Sequence, residues 1–150
     1  PCLCALFLWR KIMDNSYMDV CIEEAKLSYQ QGDVPIGAVI VQNGKILAKG
    51  HNTREFNHDI LGHAEINVIR EASKILKRWN LADCELYVTL KPCSMCTEII
   101  KQSRILKVFY LLDKLDYKKE FSKSEFFKIE SSKNEQMYHK MISDFFKDKR

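Results

Sequence analysis

The sequence predicts an α/β layer fold with a partly parallel sheet. Segments with helical and strand periodicity alternate along the chain. One Asn-Gly pair marks a tight hairpin, while the later strands are separated by helices, the connection that parallel strands need. The 150 residues are 46% apolar and 11% aromatic, enough for one compact domain with a sizeable core.

The elements follow in order. Residues 1–12 read as a peripheral extension, since Met13 could itself serve as a start, and 13–150 as a single domain. The apolar run in "PCLCALFLWRKIM" precedes Arg10 and Lys11, whereas a signal peptide has its charges first. Residues 17–31 place Tyr17, Val20, Cys21, Ala25 and Tyr29 near helical spacing, and Gly32 is a natural stop. "IGAVIV" (36–41) is a β-branched apolar run, hence a central strand. "NG" (43–44) turns it into "KILAKG" (45–50), and polar residues 51–62 make a loop. A second helix spans 63–77. "ELYVTL" (85–90) is a strand, with Val88 and Leu90 on one face. Pro92 ends that strand and opens a helix, 93–103. "ILKVFYLL" (105–112) is the next strand, followed by a charged connector (113–125). "FFKIE" (126–130) reads as a last strand. A closing amphipathic helix, 134–146, keeps Met137, Met141 and Phe145 in step, with Met137 and Met141 as core positions.

Composition excludes several classes. No apolar run reaches the length of a membrane span, so neither membrane nor secretion is expected and a cytoplasmic chain is the default. The six cysteines are irregularly spaced and do not form a disulfide framework. Cys21 and Cys84 sit in apolar patterns as buried thiols. Charge is uneven: 11 basic against 12 acidic residues in 1–100, and 13 against 8 in 101–150. A basic second part could meet phosphates, or could simply be a solvated face.

The chemistry concentrates in two short motifs. Cys93 and Cys96 lie three apart at a helix start, so their sulfurs share one face, and free N–H groups there favour thiolate. Such a pair can be a redox dithiol or half a zinc site. A redox dithiol has no use for a distant His-x-Glu. Zinc needs further ligands, and of the four histidines His63 opens the one helix between the hairpin and the strand that feeds Cys93. Two helices leaving adjacent parallel strands on one side would start close together. Two cysteines and one histidine leave a fourth position open, the pattern of a catalytic zinc site. Glu65, two residues on, is poorly placed as a ligand but could carry a proton between water and a leaving nitrogen. H-x-E followed by P-C-x-x-C is the signature of zinc deaminases acting on bases.

"VPIGAVIV", "GHN", "HAE", "LYVTLKPCSMC", "SRI" and "SDFF" together resemble the bacterial tRNA-specific adenosine deaminases, within the cytidine-deaminase-like superfamily. The resemblance covers roughly residues 15–110 and the last helix. It implies a three-layer α/β/α sandwich with a mixed five-stranded sheet, and a homodimer. It implies one zinc ion per subunit on His63, Cys93 and Cys96, with Glu65 as catalytic proton shuttle. The reaction implied is conversion of adenosine to inosine at the wobble position of tRNA. Asn52 and the backbone N–H of Ala64 would bind the base, Val34 and Pro92 would wall the pocket, and Phe146 with the basic tail would contact the anticodon loop or another single-stranded nucleic acid. The chain departs from the family pattern at Lys91, at Glu98 and through the glycine-free run "LLDKLDYKKEF". That last departure keeps a second reading in view, a zinc deaminase of a free base, nucleoside or nucleotide.

Overall fold

The computed structural model describes residues 2–113, 125, 127–128 and 132–147. They belong to two compact units, Pro1–Asp116 and Tyr117–Arg150. The first carries α1 (Leu3–Gln30), β1 (Gly37–Gln42), β2 (Lys45–His51), α2 (Ala64–Leu76), β3 (Cys84–Leu90), α3 (Ser94–Gln102) and β4 (Lys107–Leu112). The second carries α4 (Ser132–Lys147).

The strands form one mixed sheet in the order β2-β1-β3-β4. β1 is antiparallel to both β2 and β3, while β3 and β4 are parallel. Asn43 (φ 51°) and Gly44 (φ 76°) are both left-handed, as the two-residue hairpin turn requires. Among the described residues the sheet has four strands, not the expected five. Phe127 and Lys128, inside the expected strand 126–130, are not in a strand, and the rest of that run lies outside the described residues. Phe127 is exposed, so no buried face holds it in a sheet.

The first unit has three layers. Alternate residues of β1 and β3 point to opposite faces. Val39, Val41 and Tyr87 meet Tyr17 and Cys21 of α1 on one side. Ala38, Ile40, Leu86 and Val88 meet Ala64, Val68, Ile69 and Ala72 of α2 and Ile100 of α3 on the other. This two-sided burial is why β1 is apolar from Ala38 to Val41. Leu86 therefore shares the face of Val88, and Tyr87 lies opposite. Cys21 and Cys84 are buried as expected, and burial pushes their thiols up to about 12 and about 11.

α1 begins well before the expected position 17, because nothing in residues 3–16 breaks a helix. Arg10 ties this earlier part to the sheet. Its guanidinium bonds Glu85 (2.7 Å), Asp14 (2.9 Å) and the Tyr87 hydroxyl (3.1 Å), and it lies over the Phe109 ring. Further on, α1 passes so close to β1 that a Cβ on Gly37 would lie 1.9 Å from the Cys21 carbonyl oxygen. Gly32, left-handed at φ 84°, ends the helix as expected.

α4 runs slightly beyond its expected limits. Met137, Met141 and Phe145 share the predicted spacing but are exposed rather than core. Helical spacing shows which residues share a face and leaves open what the face meets. No described helix is long and apolar enough to cross a membrane.

Candidate active site

Both site helices begin on a would-be ligand. His63 is the N-cap residue of α2 and Cys93 that of α3, each in extended conformation. Cys93 also caps its helix: the Cys96 N–H donates to Cys93 Sγ at 3.5 Å. Strands β2 and β3 run in the same direction but are not neighbours as expected, because β1 lies between them. The loop after β2 folds back to bring the start of α2 into place. Thr53 N–H donates to the Gly62 carbonyl (2.7 Å), and the Asn67 amide of α2 holds the His51 carbonyl (2.9 Å) and the Thr53 hydroxyl (3.1 Å).

The three expected ligands converge. His63 Nδ1 is 3.7 Å from Cys93 Sγ and 3.4 Å from Cys96 Sγ. The three ligand atoms all lie within 4.8 Å of one another. Tetrahedral zinc, with bonds of about 2.3 Å to sulfur and 2.0–2.1 Å to nitrogen, sets a sulfur–nitrogen separation of about 3.6 Å. The observed distances bracket that value, so the donor set fits a tetrahedral zinc with one position left for water or substrate.

Glu65 is 3% exposed, and its Oε2 is buried without a hydrogen-bond partner. Burial pushes its carboxyl above the usual range. The imidazole of His63 is held low, first by burial and then by Arg54, which favours the neutral form a metal ligand needs. Cys96 behaves differently from the sequence expectation. Its thiol is pushed up strongly by burial, then by Glu65 and Cys93. Burial and two acidic neighbours outweigh the helix start. A cation held by these groups would reverse that balance, since a coordinating thiol loses its proton.

Residues 11–112 match the sequence pattern of the cytidine and deoxycytidylate deaminase zinc-binding region. The chain belongs to this deaminase family. Among curated relatives, the tRNA-specific adenosine deaminase of Bacillus subtilis (strain 168) is 48% identical over 97 residues, 65% of this chain and 60% of that protein. The chain thus spans less than two thirds of that relative's length. The tRNA-specific adenosine deaminase of Buchnera aphidicola subsp. Schizaphis graminum is 37% identical over 91% of this chain and 96% of its own. Among solved structures, a chain from a study of A-to-I editing by tRNA:A34 deaminases superposes with TM-score 0.63 at 38% identity, covering 64% of this chain and 74% of that one. Guanine deaminase from Bacillus subtilis superposes with TM-score 0.73 at 27% identity, covering 86% and 93%.

The remaining residues expected of a deaminase of this family are placed as follows. Asn52 is buried. Its Oδ1 accepts the Arg54 N–H (3.0 Å), and its amide donates to the Val34 carbonyl (3.4 Å), so Asn52 and Val34 are brought together. The Val34 side chain is exposed. Ala64 is buried at the first position of α2, where a backbone N–H has no acceptor within its helix. Pro92 is half-buried directly before Cys93. Phe146 lies on α4 in the second unit, exposed and edge-to-face with Phe145. The two departures near the metal turn are engaged elsewhere. Lys91 lies over the Tyr110 ring, 3.9 Å from Asp113, and Glu98 pairs with Lys101 (2.9 Å).

Three supporting residues escape a reading of the sequence. The Ser28 hydroxyl sits 2.8 Å from the Val34 carbonyl and 2.9 Å from that of Asn52. The Asp33 carboxylate accepts the N–H groups of Glu55 (2.7 Å) and Phe56 (3.1 Å). Asn67 ties the loop to α2. The available signals were weak: a serine in an otherwise helical stripe, an aspartate after a glycine, and an asparagine inside a helix.

Proposed function

We propose that this chain is a zinc-dependent hydrolytic deaminase that converts adenosine to inosine, most specifically at the wobble adenosine, A34, of tRNA. The observation that carries the reading is Glu65, a buried carboxyl group with an unpartnered oxygen, two residues after the histidine of a His-Cys-Cys triad of tetrahedral dimensions. A zinc ion held by His63, Cys93 and Cys96 would supply Lewis acidity that makes water nucleophilic at neutral pH. Glu65 takes a proton from the water that adds to C6 of adenine, then delivers it to the exocyclic nitrogen. A C–O bond forms, the C–N bond breaks, and ammonia leaves. The second amide N–H of Asn52 and the backbone N–H of Ala64 are donors for the ring of the base, with Val34 and Pro92 as walls. Phe146 and the basic C-terminal residues would meet the anticodon loop. The reading includes a homodimer acting in the cytoplasm. The Buchnera relative, a tRNA-specific adenosine deaminase matched along nearly its whole length, supports the choice of substrate.

The test is direct. Zinc-loaded protein incubated with an A34-containing tRNA transcript should yield inosine at that position, read by sequencing. Absence of conversion where a control enzyme succeeds overturns the tRNA substrate. A second reading, deamination of a free base, draws on the likeness to guanine deaminase, which extends over more of this chain than the tRNA:A34 deaminase match does. It expects ammonia from adenine, guanine, cytidine or dCMP, and fails if none releases it.

A further inference from the structure

The loop between Asn52 and His63 has a fixed backbone and an exposed apolar tip. Its two ends are joined by the bond from Thr53 N–H to the Gly62 carbonyl. Within it, Asn57 N–H donates to Thr53 O (2.9 Å), Asp59 N–H to Arg54 O (3.0 Å), and Gly62 N–H to Asp59 O (2.9 Å). The buried Asp33 carboxylate grips Glu55 and Phe56 from outside the loop. Gly62 packs so tightly that a Cβ there would lie 2.8 Å from Arg54 Cα. A loop tied at this many points loses little entropy when a ligand settles on it.

On this frame Phe56 is 61% exposed and Ile60 is 70% exposed. Arg54, two residues before Phe56, is also exposed. Of the nearby acidic groups, Asp59 spends an oxygen on the Leu61 N–H, and Glu55 is exposed between Arg54 and Phe56. An exposed aromatic ring with an exposed cation two residues away in the same loop is the chemistry of single-stranded nucleic-acid binding: bases stack on the ring and the cation meets the backbone. The position of the loop supplies the occupant. It runs from Asn52, beside Val34, to His63 at the start of α2, so a polymer with one base in the site carries its neighbouring nucleotides past this rim. A free base does not extend so far.

We propose that Phe56 is a stacking platform for a base flanking the target base in a single-stranded nucleic acid, with Arg54 near the connecting phosphate. This rests on the deaminase reading above and adds a second, sequence-tolerant contact to it.

The probe is an anticodon stem-loop RNA carrying A34, with 2-aminopurine placed next to it in a second version. Phe56→Ala is expected to raise KM for the stem-loop at least about fivefold, with the effect in KM rather than kcat. Phe56→Trp is expected to keep KM near that of the parent. Stacking quenches 2-aminopurine fluorescence in the parent and in Phe56→Trp, and the quenching disappears in Phe56→Ala. Turnover by the parent protein tests the deaminase reading alone. If the parent turns over and Phe56→Ala matches it in KM and quenching, the platform is overturned while the deaminase reading stands. A change in sedimentation of Phe56→Ala without a change in quenching also overturns it, by making Phe56 a contact between copies of the chain.

Discussion

A buried carboxyl group with an unpartnered oxygen costs about 1–3 kcal/mol, so Glu65 is expensive to keep unless the site uses it. Replacing it should be cheap for the fold and severe for turnover. Glu65→Ala and Glu65→Gln are expected to lower kcat by about 10²–10⁴-fold, with zinc content unchanged near one per chain, read by ammonia release and metal analysis. Tyr87 gives a pH prediction. Burial first, then Asp14, push its phenol above the ordinary value. A group whose proton is held more tightly in the folded state contributes stability that is full below its unfolded pKa, about 10, and is lost as pH rises above it. Tyr87→Phe should flatten that alkaline loss in a denaturation series, and an unchanged slope would assign the loss elsewhere. The convergence of His63, Cys93 and Cys96 was legible in the sequence because few residue types bind zinc, and this chain has only four histidines to choose from. Ser28, Asp33 and Asn67 were not, because a side chain that bonds distant backbone is recognisable only once its partner has a position.

At the scale of elements, the first unit depends on one close crossing. With Cys21 O at 1.9 Å and Ala25 N at 2.7 Å from where a Cβ would stand, Gly37→Ala must drive α1 off β1. Overpacking of this kind costs about 1–3 kcal/mol or more, and a fall in the denaturant midpoint at constant slope should report it. Periodicity located each helix and strand of the first unit, and glycine and proline marked several of their ends. It misjudged neighbourhood: the sequence suggested that β2 and β3 lie side by side, yet β1 pairs with both. Strand direction follows from connections, whereas strand order is decided by which apolar faces complement each other. The same limit explains α4, whose apolar spacing is real although Met137 and Met141 are exposed.

At the scale of the molecule, the His63-Cys93-Cys96 cluster joins the starts of two helices whose sequence positions are about thirty residues apart. A ligand bound only by the folded chain at 100 times its dissociation constant adds about 2.7 kcal/mol, which for a chain of this size is about 5–11 °C in Tm. Chelation should lower the calorimetric Tm by that order, and zinc should restore it. An equal Tm with and without zinc would mean that the site is not occupied in solution. The insertion of β1 between β2 and β3 also has a consequence in time. His63 follows β2 and Cys93 follows β3, so the two helix starts are held together through β1, where Ala38 pairs with Val88. Zinc should slow unfolding and leave the refolding rate unchanged, the mark of an interaction absent from the transition state, and stopped-flow chevrons with and without zinc will show which arm moves.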